Sequence, residues 1–368
     1  MATSPRCIGL IGLSARGSWA ARSHLGYLQS TDLDKISALQ NSSKASAEAA
    51  AKQFKLEDAA AYGDPEAIAK DPNVDIVAVS VNVPQHYKLV RPALEAGKDV
   101  FCEWPLARNL TEAEELVQLA KTKGVRTSVG LQGRQNPSIL KAKEIVASGK
   151  LGRILGSTMS GNGSMFGPEF TEYFLYTLPI EAGANLVTIA FGHAVDALCY
   201  VLGEIRDISA TLANVRPEHD LVDENGKLIR KVSKTAHDYV SFNGILANGG
   251  GVVSVTYAGG HSRTGREFYW EINGTEGSLI LENPSKMGGH IQMFQPSLKL
   301  ATNDKMEEVE VEKAADMSFN VGKAWDAWAG KGLDQGYTVT TWDDALLRHK
   351  MIDAIYKSGE SGKRVNYV

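Results

Sequence analysis

Residues 6–19 read RCIGLIGLSARGSW, a stretch with few structural readings. The apolar run 7–13 is that of a buried strand, Gly12 and Gly17 bracket a tight turn, and 18–28 suits a helix. A strand passing through a glycine turn into a helix opens a βα unit, which commits the chain to a parallel sheet with helices on its faces. In that setting G-x-G-x-x-G binds a dinucleotide. The first glycine makes the turn, the last brings the helix close to the strand, and the helix N-terminus offers N–H groups and a positive dipole end to a pyrophosphate. Here Ser14 stands at the middle glycine position. Gly12, Leu13, Ser14, Ala15, Arg16 and Gly17 are therefore candidate cofactor contacts, the alternative being an ordinary buried βα turn. Valine at position 12 is expected to abolish cofactor binding and leave the fold intact.

The chain has 368 residues, room for two domains sharing a large core. Its net charge of −4 gives no electrostatic reason for direct binding to nucleic acid. Cys7, Cys102 and Cys199 are odd in number and far apart, in no disulfide or zinc spacing, which points to reduced thiols and no metal. No apolar stretch approaches the roughly 20 residues of a membrane span, and MATSPR is no secretory segment, so no membrane partner and a cytoplasmic location are expected.

Residues 35–40 are the second strand. An acid at the end of this strand holds the ribose 2′-hydroxyl of NAD and repels the 2′-phosphate of NADP. Here Gln40 is followed by Asn41, Ser42, Ser43 and Lys44, and Arg16 can approach the same group, so NADP is expected over NAD. Ser42 and Ser43 equally suit the cap of a helix over 44–54, and the two roles are compatible. A helix begins at 64–69. The run VDIVAVSV, 74–81, is nearly all apolar and β-branched, as in a parallel strand covered on both faces. Helix 86–96, strand 99–102, helix 111–123 and strand 126–131 complete a doubly wound parallel sheet, an α/β class.

The glycine turn, VDIVAVSV, PQHY and ALEAGKDVFCEWPL, in that order, resemble the Gfo/Idh/MocA oxidoreductase family. The likeness continues in a helix ending ASGKLG, the strand from Ile154, FGHAVD and the C-terminal DALLRHKMIDAIYKSGESGKRV. Within the family, LSARGSWA, CEWPLA, LQGRQNP and TIAFGHAVD are most like the branch containing the fungal galactose-regulon repressor, which resembles an NADP oxidoreductase but works as a transcriptional regulator. The resemblance implies a Rossmann domain, 1–134, then an α+β substrate and oligomerisation domain, 135–368, with a large, open, mostly antiparallel sheet and C-terminal helices packing back on the first domain. It also adds Asn82, Val83, His86, Glu103, Trp104 and Gln132 to the cofactor contacts.

Trp104 is a departure from that pattern. The family's Glu-Lys-Pro places a lysine near the nicotinamide and the reacting carbon, where it can hold or donate a proton. This chain has Glu103-Trp104-Pro105. An indole N–H donates a hydrogen bond but does not titrate, so it can position a substrate or simply fill an abandoned pocket. The second chemical candidate is His193. Leu186, Ala190, His193, Ala197 and Val201 share one face of a helix over 184–202, with Asp196 placed to reach the ring and orient it. The resemblance puts the family's active-site histidine here, with Ile189 where the family has an aspartate. A core histidine satisfied by Asp196 is the other reading.

Arg134, at the carboxyl edge of the first sheet, and Asn162, after the strand 154–160, are candidate substrate contacts, as is Tyr173; Tyr176 is a further catalytic candidate. Strands are expected over 207–214, 237–246, 252–257, 268–273, 278–282 and 290–294, with an edge strand over 305–313 and antiparallel order implied by the Asn273-Gly274 and 248–251 turns. His219, His237, His261 and His290 are scattered without metal spacing. Helices over 318–330 and 342–357 follow, and 364–367 is expected to return to the Rossmann side. The expectation is an NADP(H)-dependent oxidoreductase acting on a small polar carbonyl, alcohol or imine, with His193 as acid or base. The competing expectation is a cofactor-sensing regulator that binds a protein partner and does no chemistry. The open sheet face is where such a partner, or a second copy forming a homodimer, would pack.

Overall fold

The apolar run that opens the chain lies inside a six-stranded parallel sheet in the computed structural model, which describes residues 4–303 and 305–368. The strands are β1 (Arg6–Ile11), β2 (Asp34–Gln40), β3 (Ala60–Tyr62), β4 (Ile76–Val79), β5 (Asp99–Glu103) and β6 (Thr127–Gly130), in the order β3-β2-β1-β4-β5-β6. Every residue of β4 is buried, because helices cover both faces of the sheet. The helices of this part are α1 (Trp19–Ser23), α2 (Leu25–Ser30), α3 (Lys44–Gln53), α4 (Pro65–Ala69), α5 (His86–Glu95) and α6 (Leu110–Lys123). Strand order reverses between β1 and β4, and the carboxyl ends at that point are where such sheets hold ligands.

The single helix expected over 18–28 is two, broken at His24, whose ring is buried. Strand β3 has no sequence signature, being short and without a β-branched residue.

Residues 1–132 with 315–346 form one compact unit, and 133–314 with 347–368 form the other. Residues 315–346 thus count with the first unit and 347–368 with the second. In the first, α9 (Phe319–Trp328) buries Val321, Trp325 and Trp328 in the same core as Ile8, Leu25 and Phe101. Trp325 stacks on Phe101 with ring centres 4.8 Å apart.

The second unit holds α7 (Pro137–Ala147), α8 (Gly192–Leu202) and most of α10 (Trp342–Ser361). Its main sheet is eight-stranded: β7 (Ile154–Gly163), β9 (Ile205–Ala213), β12 (Tyr239–Leu246), β13 (Val252–Gly259), β14 (Phe268–Gly274), β15 (Ser278–Asn283), β16 (Ser297–Thr302) and β17 (Lys305–Glu308), in the order β17-β16-β15-β14-β7-β13-β12-β9. Neighbours are antiparallel except β7 with β13, which makes the sheet mixed. Val240, Phe242, Val253, Val255, Tyr257, Trp270, Leu279 and Leu281 are buried on one face. Phe191 at the head of α8 meets Phe242 and Tyr257 edge-on there. Ser241, Asn243, Ser254 and Thr256 alternate onto the other face.

Residues 290–294 are not a strand. Met293 and Phe294 donate backbone hydrogen bonds to the His290 carbonyl, closing a local turn, while the strand is β16, further on. A small sheet of β8 (Glu169–Phe170), β10 (Glu218–Val222) and β11 (Leu228–Ser233) was not expected. Val365 pairs with Ile208 of β9, so the chain end closes on the second unit rather than on the Rossmann side.

Candidate active site

The turn after β1 is built by two glycines and a serine. Gly12 has φ +100°, a region that side chains disfavour, and a Cβ there would lie 2.3 Å from the Ser80 carbonyl oxygen and 2.6 Å from Val81 Cγ1. The turn is pressed against the end of β4, so valine at 12 strikes backbone. Such a variant is therefore expected to lose stability as well as cofactor binding. Gly17 has φ +94° and open space around it. Ser14 replaces the middle glycine by organising the turn: its N–H donates to Ser18 Oγ (3.3 Å) and its Oγ accepts from the Arg16 N–H (3.1 Å). Ser18 also caps α1. Leu13 is buried, Ala15 half-buried and Arg16 exposed at the tip.

Three buried polar atoms without partners stand at the carboxyl edge of this sheet: Gln40 Oε1 after β2, Ser80 Oγ after β4 and Gln132 Oε1 after β6. Folded interiors pair roughly nine-tenths of such atoms, so a row of orphans on one edge fits a polar ligand. Together with the glycine turn, these residues suit a dinucleotide. Beside Gln40, the Asn41 side chain donates to the carbonyls of Leu13 and Ser46, tying the two loops together. Ser43 is occupied by a reciprocal cap with Ser46 at the start of α3. Ser42 and Lys44 are exposed, with Lys44 3.9 Å from Glu48.

Two expected cofactor contacts are hydrogen-bonded within the protein. Trp325 Nε1 donates to His24 Nδ1 (3.0 Å), so the proton of His24 is on Nε2 and is given to Glu103. The Glu103 carboxylate thus belongs to the core. His86 is fully buried between the carbonyls of Pro105 (2.8 Å) and Val81 (3.0 Å), and burial lowers its pKa. In the same turn Asn82 is half-buried and Val83 buried, and Trp104 is buried just after β5, before a cis Pro105. A cleft of about 590 Å³ in the first unit, between α6 and α9 and lined by Arg126, Trp328 and Leu333, opens at the amino end of β6, away from this edge.

In the second unit α8 is entered through one wide π turn, Val187–Phe191, in which the Phe191 N–H reaches the Leu186 carbonyl. Such turns redirect the side chains that follow and recur at functional sites. His193 follows it, 5% exposed, with Nδ1 buried and unpartnered. Burial pushes its pKa down to about 3; Asp196 opposes that shift and His290 adds to it. Asp196 does not orient this ring. Its oxygens receive Arg134 Nε (2.8 Å) and Nη2 (2.7 Å), with Arg348 Nε 3.4 Å away. Arg348 continues to Glu204 (2.8 Å), which accepts from Tyr367. Burial alone would raise Asp196, but Arg134 and then Arg348 outweigh it and hold the carboxyl below its ordinary value. Arg134 is therefore the ion-pair partner of Asp196.

Tyr176 is half-buried, its phenol pushed up to about 12 by burial and next by Tyr173, so it donates but does not ionise near neutrality. Tyr173 is 48% exposed, edge-on to Phe174. Asn162 donates to the carbonyl of Arg266 (3.2 Å) at the end of β7. The residue sequence reasoning missed is His290, fully buried with both ring nitrogens unpartnered. Its only signal was a histidine at the head of the alternating run HIQMF. Among the described residues no group of His, Cys, Asp or Glu is arranged to hold a metal, and no helix is long and apolar enough to cross a membrane.

Residues 7–131 match the oxidoreductase family with an NAD-binding Rossmann fold, Gfo/Idh/MocA, and residues 137–283 match the C-terminal domain of Gal80p. The chain is similar to dehydrogenase aclE of Aspergillus oryzae, 36% identical over 98% of each chain. It is also similar to the galactose/lactose metabolism regulatory protein GAL80 of Saccharomyces cerevisiae, 30% identical over 99% of this chain and 94% of that one. The crystal structure of a super-repressor mutant of S. cerevisiae Gal80p matches with TM-score 0.92 at 29% identity, covering 99% of this chain and 98% of that one. The chain belongs to the Gfo/Idh/MocA oxidoreductase family, with an NAD(P)-binding Rossmann fold followed by a Gal80p-type C-terminal domain.

Proposed function

We propose that this protein is an NADP(H)-dependent oxidoreductase acting on a small polar carbonyl, alcohol or imine, with His193 as its proton-handling residue. The observation that carries the reading is the buried, unpartnered Nδ1 of His193, left without a partner because Asp196 is spent on Arg134 and Arg348. The bound cofactor supplies or accepts the hydride. Burial keeps the imidazole neutral, the form that takes a proton from an alcohol or holds a carbonyl oxygen through its N–H. Trp104 has no proton to exchange in that role. NADP is favoured by Gln40 in place of an acid, by the exposed Ser42 and Lys44 that follow it, and by the exposed Arg16 of the glycine turn. The test is NADPH consumption against a panel of carbonyls and imines. His193→Asn removes the titration and keeps polarity, so turnover should fall by about a hundred- to ten-thousand-fold with NADPH affinity unchanged. Turnover untouched by that change would remove His193 from the mechanism.

A second reading, a non-catalytic NADP-binding regulator, is supported by the buried indole of Trp104 and by the full-length similarity to GAL80. It calls for tight NADP binding, no turnover with any member of the panel, and capture of an acidic activation segment. In either case the half-polar face of the eight-stranded sheet is our proposed seat for a second copy, which light scattering would register as a doubled mass.

A further inference from the structure

We infer that His290 is a second imidazole of the reaction site, sharing the substrate's reacting oxygen or nitrogen with His193; this rests on the oxidoreductase reading above. His290 sits in the turn between β15 and β16, and that turn is firmly placed. Tyr257 Oη donates to the Gly289 carbonyl (3.0 Å) and Asn136 Nδ2 to the Ile291 carbonyl (2.9 Å). Gly289 lies so close to the end of β7 that a Cβ would be 2.1 Å from the Asn162 carbonyl oxygen. Gly133 lies against both this turn and the start of α8: a Cβ on it would stand 3.8 Å from Gln292 Cα and 3.9 Å from the His193 carbonyl oxygen.

Within this frame the His290 ring has no exposure and neither nitrogen has a partner, and His193 Nδ1 is in the same condition. Interiors leave few such atoms unpaired, and here three belong to imidazoles on two segments that both lie against Gly133. Burial drives His290 down to about 4, with His261 adding, so both rings are neutral at pH 7. A neutral imidazole offers one N–H and one acceptor. Two of them divide the work on one polar atom: His290 donates the hydrogen bond that places it, while His193 exchanges the proton. The nearby guanidinium of Arg134 is committed to Asp196, so the pair takes an uncharged group. The chain thereby carries a second exchangeable proton that the indole at 104 lacks.

The experiment uses the full-length protein and the panel compound that wild type turns over fastest. In His290→Phe and His290→Ala, kcat/KM should fall by about tenfold or more with NADPH affinity unchanged. Added imidazole should restore turnover in His290→Ala, which a purely structural residue would not allow. The apoprotein of His290→Phe should melt no lower than wild type, because two unpaired nitrogens are gone. Wild-type turnover in both variants, the result expected if only buried water sits between the rings, overturns the inference. So does a lowered melting temperature in both variants with no rescue by imidazole. If wild type itself turns over nothing, the oxidoreductase reading fails on its own. His290 is then decided by melting: a gain in His290→Phe keeps it as a ligand-facing ring, and a loss ends the inference.

Discussion

Asp196 shows how far a single residue can be read and where the reading stops. The spacing of His193 and Asp196 on one helix pointed to a pair, and both residues are in the helix as expected. No local pattern announced that Arg134 and Arg348, distant in sequence, would claim the carboxylate instead. That network is fully inside the second unit, and breaking a buried pair leaves a charge without compensation. Arg134→Met should therefore lower stability by about 3–5 kcal/mol, read from urea unfolding at pH 7. Acid should act on the same unit in two steps. The folded values of His193 and His290, about 3 and about 4, lie below the unfolded value of about 6.5. The unfolded chain therefore takes up protons first, and stability falls as the pH drops below about 6.5, by up to about 1.4 kcal/mol per pH unit for each ring. Asp196 is held below its unfolded value, so its contribution is complete above about pH 4 and is lost only in stronger acid. The urea midpoint should drop between pH 7 and pH 5, and less steeply in His193→Asn. A flat profile would mean that these rings are solvated.

Among elements, the glycine turn behaves differently at its two ends. Gly12→Val should lose both cofactor binding and several degrees of melting temperature, since the new side chain meets the Ser80 carbonyl. Gly17→Ala meets nothing and pays only for its left-handed backbone, about 1 kcal/mol, so cofactor affinity is the measurement that isolates its role. Equal affinity in Gly17→Ala and wild type would place the pyrophosphate elsewhere. The end of β2 carries the cofactor choice. One charge-assisted phosphate contact is worth about 1.5–3 kcal/mol, roughly ten- to hundred-fold or somewhat more, so calorimetry should show NADP binding tighter than NAD by that factor. Lys44→Glu should erase the preference; equal affinities in wild type remove it as a property of this loop. Strands made of β-branched runs, such as β4, and helices closed by glycine, such as α6, were legible because their signals are local. The turn at His290 was not, because its alternating HIQMF is a strand pattern that contacts far along the chain convert into a turn.

At the scale of the molecule, the fold class was legible from the alternation of strands and helices and from the resemblance, which also implied C-terminal helices on the first domain, but the division between residues 346 and 347, inside α10, carries no local signal. The tryptophans of α9 look like any amphipathic helix until Phe101 and Ile8 are seen beside them. Removal of residues 315–368 strips Trp325 and Trp328 from the first core and Arg348 from the Asp196 network. Such a truncation should lose cooperative unfolding in both units, and a calorimetric scan with an intact transition for residues 1–314 would contradict the interleaved division. A chain that leaves 1–132 and 133–314 each waiting for its own later segment cannot finish either half in the order in which it is made. The nascent Rossmann sheet therefore leaves Ile8, Leu25 and Phe101 without their tryptophan cover until residues 315–346 have been made.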